Sequence, residues 1–174
     1  GTAATTVPQA IKPDARMGLE RLPVPVLASW RWPGRPELPG GNMAWTYMVQ
    51  YPHGKFSLFV GELPDAATGT VRPFEVWVNG TEQPRGLGAM AKTLSMDLRA
   101  NDAAWLRLRL DALATLTEEY AFDMPFPPSG EMRRFPGVVA ATAAVIRWRC
   151  EQLGLWSVGA ADNASTPVLD AMFS

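Results

Sequence analysis

The chain has 174 residues, 47% of them apolar and 19% charged, with a formal net charge of −1. That length suits one domain whose core needs neither disulfide nor metal, and the near-zero charge excludes a global field that would draw the chain onto nucleic acid or a membrane. Cys150 is the one cysteine, so an internal disulfide is excluded and a metal site cannot be completed from thiols.

The charged fraction lies below the ~25% usual for soluble domains, which predicts a partner surface or unusually little solvated face. Seven Trp against three Tyr fit a heavy aromatic core, with interface anchoring as the alternative. Lys12, Lys55 and Lys92 are the lysines, so the remaining basic residues are Arg, which favours planar contacts with carboxylate or phosphate. No run of ~18 apolar residues suggests a membrane span. The opening GTAATTVPQAIKPDARMG lacks the charged and apolar regions of a signal peptide. Gly1 in place of Met reads as a scar of tag removal on a segment cut from a longer chain, and a cytoplasmic protein is expected.

Residues 1–42 are rich in Pro and Gly. LPVPVLASWRWPGRPELPGG predicts an extended arm that packs through Val24, Val26, Leu27, Trp30 and Trp32. AWTYMVQY then alternates, with Trp45, Tyr47, Val49 and Tyr51 on one face, as a half-buried strand does. Pro52 and Gly54 turn the chain into KFSLFVG, where Phe56, Leu58 and Val60 share a face, so the two runs form a hairpin. FEVWVN is a third strand, with Phe74, Val76 and Val78 on one face and Pro73 at its entry.

The period then changes. Leu87, Met90, Ala91, Leu94 and Leu98 predict an amphipathic helix over 87–99. Asn101-Asp102 ends it and caps a second helix with a stripe of Leu106, Leu110, Leu113 and Ala114. DMPFPPSGEMRRFPG reads as a proline-rich connection. Pro136 opens a third helix with a stripe of Val139, Ala143, Ile146, Cys150 and Leu153, ended by Gly154. Strands first and helices after predict an α+β fold: a small antiparallel β-meander over which three helices pack on one face. The division expected is an arm at 1–42, an α+β domain at 43–157 and a loose tail at 158–174.

Several places invite a chemical reading. GTEQPRGLG sits between strand and helix as a phosphate loop would, yet lacks both the dinucleotide fingerprint and the Lys-Ser/Thr of a Walker sequence. Gly80 and Gly86 then serve to fold the helix back. His53 lies at a hairpin tip, where neither an orienting partner nor a cleft is expected. Cys150 falls on an apolar stripe beside Arg147 and Arg149 and reads as inert core. Glu118, Glu119 and Asp123 read as a solvated helix end. Arg133 and Arg134 precede a helix whose N-terminus adds positive potential, and are the candidates for contact with an anion or an acidic partner. No nucleophile–base pair emerges, so no catalytic residue, bound cofactor or metal is assigned to this segment.

WTYMVQYPHGKFSLFVG, RPFEVWVNG and AMAKTLSMDLR, in that order, resemble the C-terminal region of adenosylcobalamin-dependent (class II) ribonucleotide reductases. There a meander of the form T-x-K-I-x-T-P-x-G-K-x-x-V precedes G-x-P-F-E-V-F-I-N and a helix ending L-I-S-L-x-L-R. Tyr51-Pro52, Gly54-Lys55, Pro73 to Asn79, Leu94-Ser95 and Leu98-Arg99 fit that outline over roughly residues 43 to 115. Glu82-Gln83-Pro84-Arg85 stands where the family carries a cysteine-containing turn, and the terminal cysteine cluster is missing. The resemblance implies an accessory or docking domain outside the catalytic barrel, with adenosylcobalamin and the reducing thiols held by the parent enzyme. Its partner would be the barrel or another subunit, with a homo-oligomer as a further arrangement. Phe59 and Trp77, on the strand face away from the helices, are the expected contact. The alternatives are a freestanding interaction or regulatory module, and a small-anion binder using Arg133 and Arg134.

Overall fold

The computed structural model describes residues 30–80 and 83–156. Val24, Val26 and Leu27 of the expected arm lie outside the described residues, as do Thr81 and Glu82 of the glycine turn and the expected tail at 158–174. The fold is α+β. Strands β1 (Met43–Tyr51), β2 (Gly54–Pro64) and β3 (Val71–Asn79) form an antiparallel meander in the order β1-β2-β3. Helices α1 (Leu87–Arg99) and α2 (Ala103–Ala114) follow, then strands β4 (Phe122–Phe126) and β5 (Glu131–Phe135), then helix α3 (Val138–Gln152).

Alternation builds the sheet as the sequence predicts. Val49 pairs with Phe56, Leu58 with Val78 and Val60 with Val76, and Val49, Phe56, Leu58, Val60 and Val76 are all buried. The register slips between Gly61 and Glu62, leaving Phe74 as the additional residue of β3. Phe74 and Glu75 are therefore both buried. Phe74 meets Trp32 of the arm edge-on at 6.2 Å, while Val76 joins Leu87, Leu94 and Leu98 of α1 in the main core. Full burial of Leu94 contributes about 1.5–3 kcal/mol.

The proline-rich stretch between α2 and α3 is a correction to the sequence reading. It is a two-stranded hairpin, β4 against β5, not a connection, and strands do intervene between the helices. Phe122, Met124 and Phe126 alternate into the core beneath a turn in which the Phe126 carbonyl accepts from the Gly130 amide. Prolines masked that alternation. Pro125 keeps its carbonyl, which accepts a hydrogen bond from the Tyr47 hydroxyl at 2.5 Å and ties β4 to β1. Burial pushes the Tyr47 phenol up from its ordinary range.

Asp102 caps α2 as expected, accepting from the Trp105 amide at 2.9 Å. Helix α3 begins at Val138 rather than Pro136, and Ala140, Ala141, Thr142 and Val145 widen its buried stripe beyond the expected one. Arg149 of α3 donates to the buried Glu62 of β2 at 2.6 Å and lies over the Trp45 ring, joining helix to sheet.

The two sides of the meander are treated differently. Val76 turns both backbone groups away from β2: its amide donates to the Ser95 hydroxyl at 2.9 Å and its carbonyl faces the same hydroxyl at 3.2 Å. Helix α1 thus covers the β3 edge, which would otherwise stay open to pairing.

Candidate partner-binding face

The register that buries Val76 turns Trp77 the other way. Phe59 of β2 stands directly opposite Trp77 of β3 and Thr46 of β1. The structure thus brings Phe59 and Trp77 together on the face opposite the helices. Trp77 is 55% exposed and Phe59 half-buried. A tryptophan so exposed leaves a large apolar ring in water, the kind of side chain that anchors interfaces.

Two depressions meet at Trp77. One, of about 540 Å³, is lined by Asn42, Ala44, Phe59, Glu75 and Asn79 as well as Trp77. The other, of about 450 Å³, runs between β3 and α1 past Ala91, Lys92, Ser95 and Arg99. The arm frames both. Arg35 grips Glu75 with a two-pronged contact, Nε to Oε2 at 2.7 Å and a terminal nitrogen to Oε1 at 3.1 Å. That hydrogen bond and the carboxylate charge raise the Arg35 pKa further. Arg31 pairs with Asp65, whose carboxylate also takes the Ala67 amide at 3.0 Å and the Thr68 hydroxyl at 3.2 Å. Burial alone would raise the Asp65 pKa; the Ala67 amide, Arg31, Thr68 and Arg72 outweigh it and hold the carboxyl below its usual range. The arm residues from Arg31 to Asn42 are fixed by ion pairs, by the Arg31 and Trp32 amides donating to the Arg99 carbonyl and by Trp32 against Phe74, whereas Trp30, expected to pack, is exposed.

Arg133 and Arg134 lie on β5, not in a loop before a helix. Successive strand residues face opposite ways, and the two heads diverge. Arg133 stacks on the Phe126 ring at 4.2 Å, and Arg134 faces Asp123 at 3.4 Å. The N-terminus of α3 is already served: the Val139 amide donates to Glu118 at 2.9 Å. Gly137 makes room for this, since a Cβ there would sit 2.1 Å from the Glu118 Oε2. Glu118 is therefore a half-buried helix cap and not a solvated helix end, while Asp123 sits apart on β4.

His53 is exposed at the β1–β2 turn but is not without neighbours. Tyr51 and Tyr120 meet its ring edge-on at 6.1 and 6.2 Å, beside a depression of about 180 Å³ that Glu118 and Glu119 also line. Cys150 is fully buried, and burial, reinforced by Glu151, pushes its thiol up to about 12. Such a thiol carries almost no thiolate near neutral pH. Gly86 (φ 85°) and Gly80 (φ 154°) take backbone conformations that other residues avoid, which accounts for the glycines bracketing the turn into α1.

The roles missed in the sequence are those of Ser95 as a helix-to-strand tie, of Glu118 as a cap, and of the pair Arg35 and Glu75. The available signals were faint: a serine on an apolar stripe, and a charged residue between Phe74 and Val76. Among the described residues no cluster of three metal-ligating side chains forms, and no helix is long and apolar enough to cross a membrane. Comparison with protein-family models, with curated proteins and with solved structures returns no match for this chain.

Proposed function

We propose that this chain is a non-catalytic docking domain that holds a partner protein on the Phe59–Trp77 face. The observation that carries the reading is an exposed tryptophan on the side of the sheet that no described helix covers, set beside Phe59 and framed by the Arg35–Glu75 clamp. Rigid framing lowers the ordering cost of association. The order of motifs from Trp45 to Arg99 supports a specific partner, the catalytic body of an adenosylcobalamin-dependent ribonucleotide reductase, and with it a role in deoxyribonucleotide synthesis.

Adenosylcobalamin belongs to that partner in this reading. The chain's one histidine adjoins a depression of about 180 Å³, below the ~300 Å³ from which small-molecule sites begin. The buried, weakly acidic Cys150 is likewise unsuited to deliver electrons to a ribose.

The test is association of the purified chain with the barrel subunit of such a reductase, before and after Trp77→Glu and the double change Phe59→Asp with Trp77→Glu. Truncation of a central interface tryptophan costs about 2 kcal/mol or more, a ~30-fold loss of affinity. Unchanged affinity in the double variant removes the proposal. A second reading, a small-anion binder, is favoured by Lys92 and Arg99 lining the groove beside Trp77. Saturable quenching of Trp77 fluorescence by a nucleotide, without the barrel, would favour it.

A further inference from the structure

Among the described residues no strand or helix pairs with the outer edge of β1, which β4 approaches through the Tyr47–Pro125 contact without backbone pairing, while the β3 edge is closed by α1. The backbone geometry shows which groups it offers. Val76 directs its amide and carbonyl to Ser95, so in an antiparallel ladder its partner Val60 directs its own toward β1. Val60 meets Trp45, Leu58 meets Tyr47 and Phe56 meets Val49 in the hydrogen-bonded pairs. The alternate residues Ala44, Thr46, Met48 and Gln50 therefore point their amides and carbonyls outward. All four are exposed, and among the described residues no backbone partner meets them.

The devices that blunt an edge strand are missing from β1. MAWTYMVQY carries no charge, no proline and no bulge over its length. Beside it on the core face stand the half-buried rings of Trp45, Tyr47 and Trp148, stacked or tilted at 5.6 Å. Both ends of the described chain are tied elsewhere: Trp30 bridges to Ala100 after α1, and Trp156 donates to the Ala103 carbonyl at the start of α2.

We infer that β1 pairs antiparallel with β1 of a second copy of this chain, joining two meanders into one continuous sheet. A two-fold axis at Tyr47 satisfies every outward group of one strand with those of the other. It sets Thr46 opposite Met48 of the second copy and Ala44 opposite Gln50, so the pairing is free of like charges. This surface is distinct from the Phe59–Trp77 contact and does not depend on it, because the strand edge and not the sheet face is used.

The experiment is sedimentation of the full chain over a range of concentrations, with amide exchange at Ala44, Thr46, Met48 and Gln50. A reversible dimer whose formation protects these amides is expected. Replacing both Thr46 and Met48 by Lys places Lys opposite Lys and should weaken the dimer roughly tenfold or more. Thr46→Glu with Met48→Lys places opposite charges together and should keep it. Thr46→Pro deletes an outward amide that the fold does not use, and should give a folded monomer. A chain that stays monomeric, amides protected without regard to concentration (the edge then being covered from within the chain), or equal dimerisation of the two charge variants overturns the inference.

Discussion

Ser95→Ala isolates the closure of the β3 edge. The serine hydroxyl has one proton and is 2.8 Å from the Ala91 carbonyl and 3.2 Å from the Val76 carbonyl. Its shorter bond is to its own helix. What the sheet loses most on substitution is the acceptor for the Val76 amide, at 2.9 Å in a buried setting. A buried donor left without a partner costs about 1–3 kcal/mol. Alanine returns a few tenths of a kcal/mol through its better helix propensity, so a net loss of roughly 1–2 kcal/mol is expected. With a urea m-value of ~2 kcal/mol/M, the midpoint falls by about 0.5–1 M with m unchanged. The Val76 amide should also lose exchange protection relative to its neighbours on β3. A loss below about 0.5 kcal/mol, with the Val76 amide still protected, would refute the claim that this hydroxyl holds helix to strand.

Two further outcomes follow from the polar contacts. Glu118→Ala strips the cap from α3 and should cost about 0.5–2 kcal/mol in urea denaturation, with Glu118→Gln recovering part because an amide oxygen still accepts from Val139. The Asp65 carboxyl is held below its usual range, so it contributes stability that is present above the unfolded pKa of ~3.9 and is lost as pH falls through the folded value. The stability gap between the native chain and Asp65→Asn should therefore be flat from roughly pH 5 to 8 and narrow below roughly pH 4; a gap undiminished at pH 3 would contradict the assignment.

The meander and the first two helices were legible because apolar periodicity alone specifies them. Phe56, Leu58 and Val60 alternate without interruption, and Leu87, Leu94 and Leu98 recur at helical spacing. The β4–β5 hairpin was not legible, because Pro125, Pro127 and Pro128 signal a loop while the strand pairs with β5 and is tied to the core by the Tyr47 hydroxyl from 78 residues away. Glu118 escaped for the same reason. Its helix lies 21 residues downstream, and nothing local marks a glutamate as the cap of a distant N-terminus. Phe59 and Trp77 could be placed on a common face from strand parity alone. That they stand directly opposite each other required the register.

The low charge content has a structural counterpart. Arg31 is committed to Asp65, Arg35 to Glu75, Arg109 to Asp97, Arg147 to Asp111 and Glu151, and Arg149 to Glu62. Charges that pair internally bind elements together but leave less of the surface strongly hydrated. Met43, Met48, Trp77 and Met132 stand exposed instead. Met43 shares the parity of Trp45 and Met132 lies on β5, while Met48 of β1 and Trp77 of β3 lie on the sheet face away from the helices. A chain with few charges could have used them to solvate that side. Here they fasten the arm, the sheet and the helices to one another, and Met48 and Trp77 are left exposed on the side that carries the proposed partner contact.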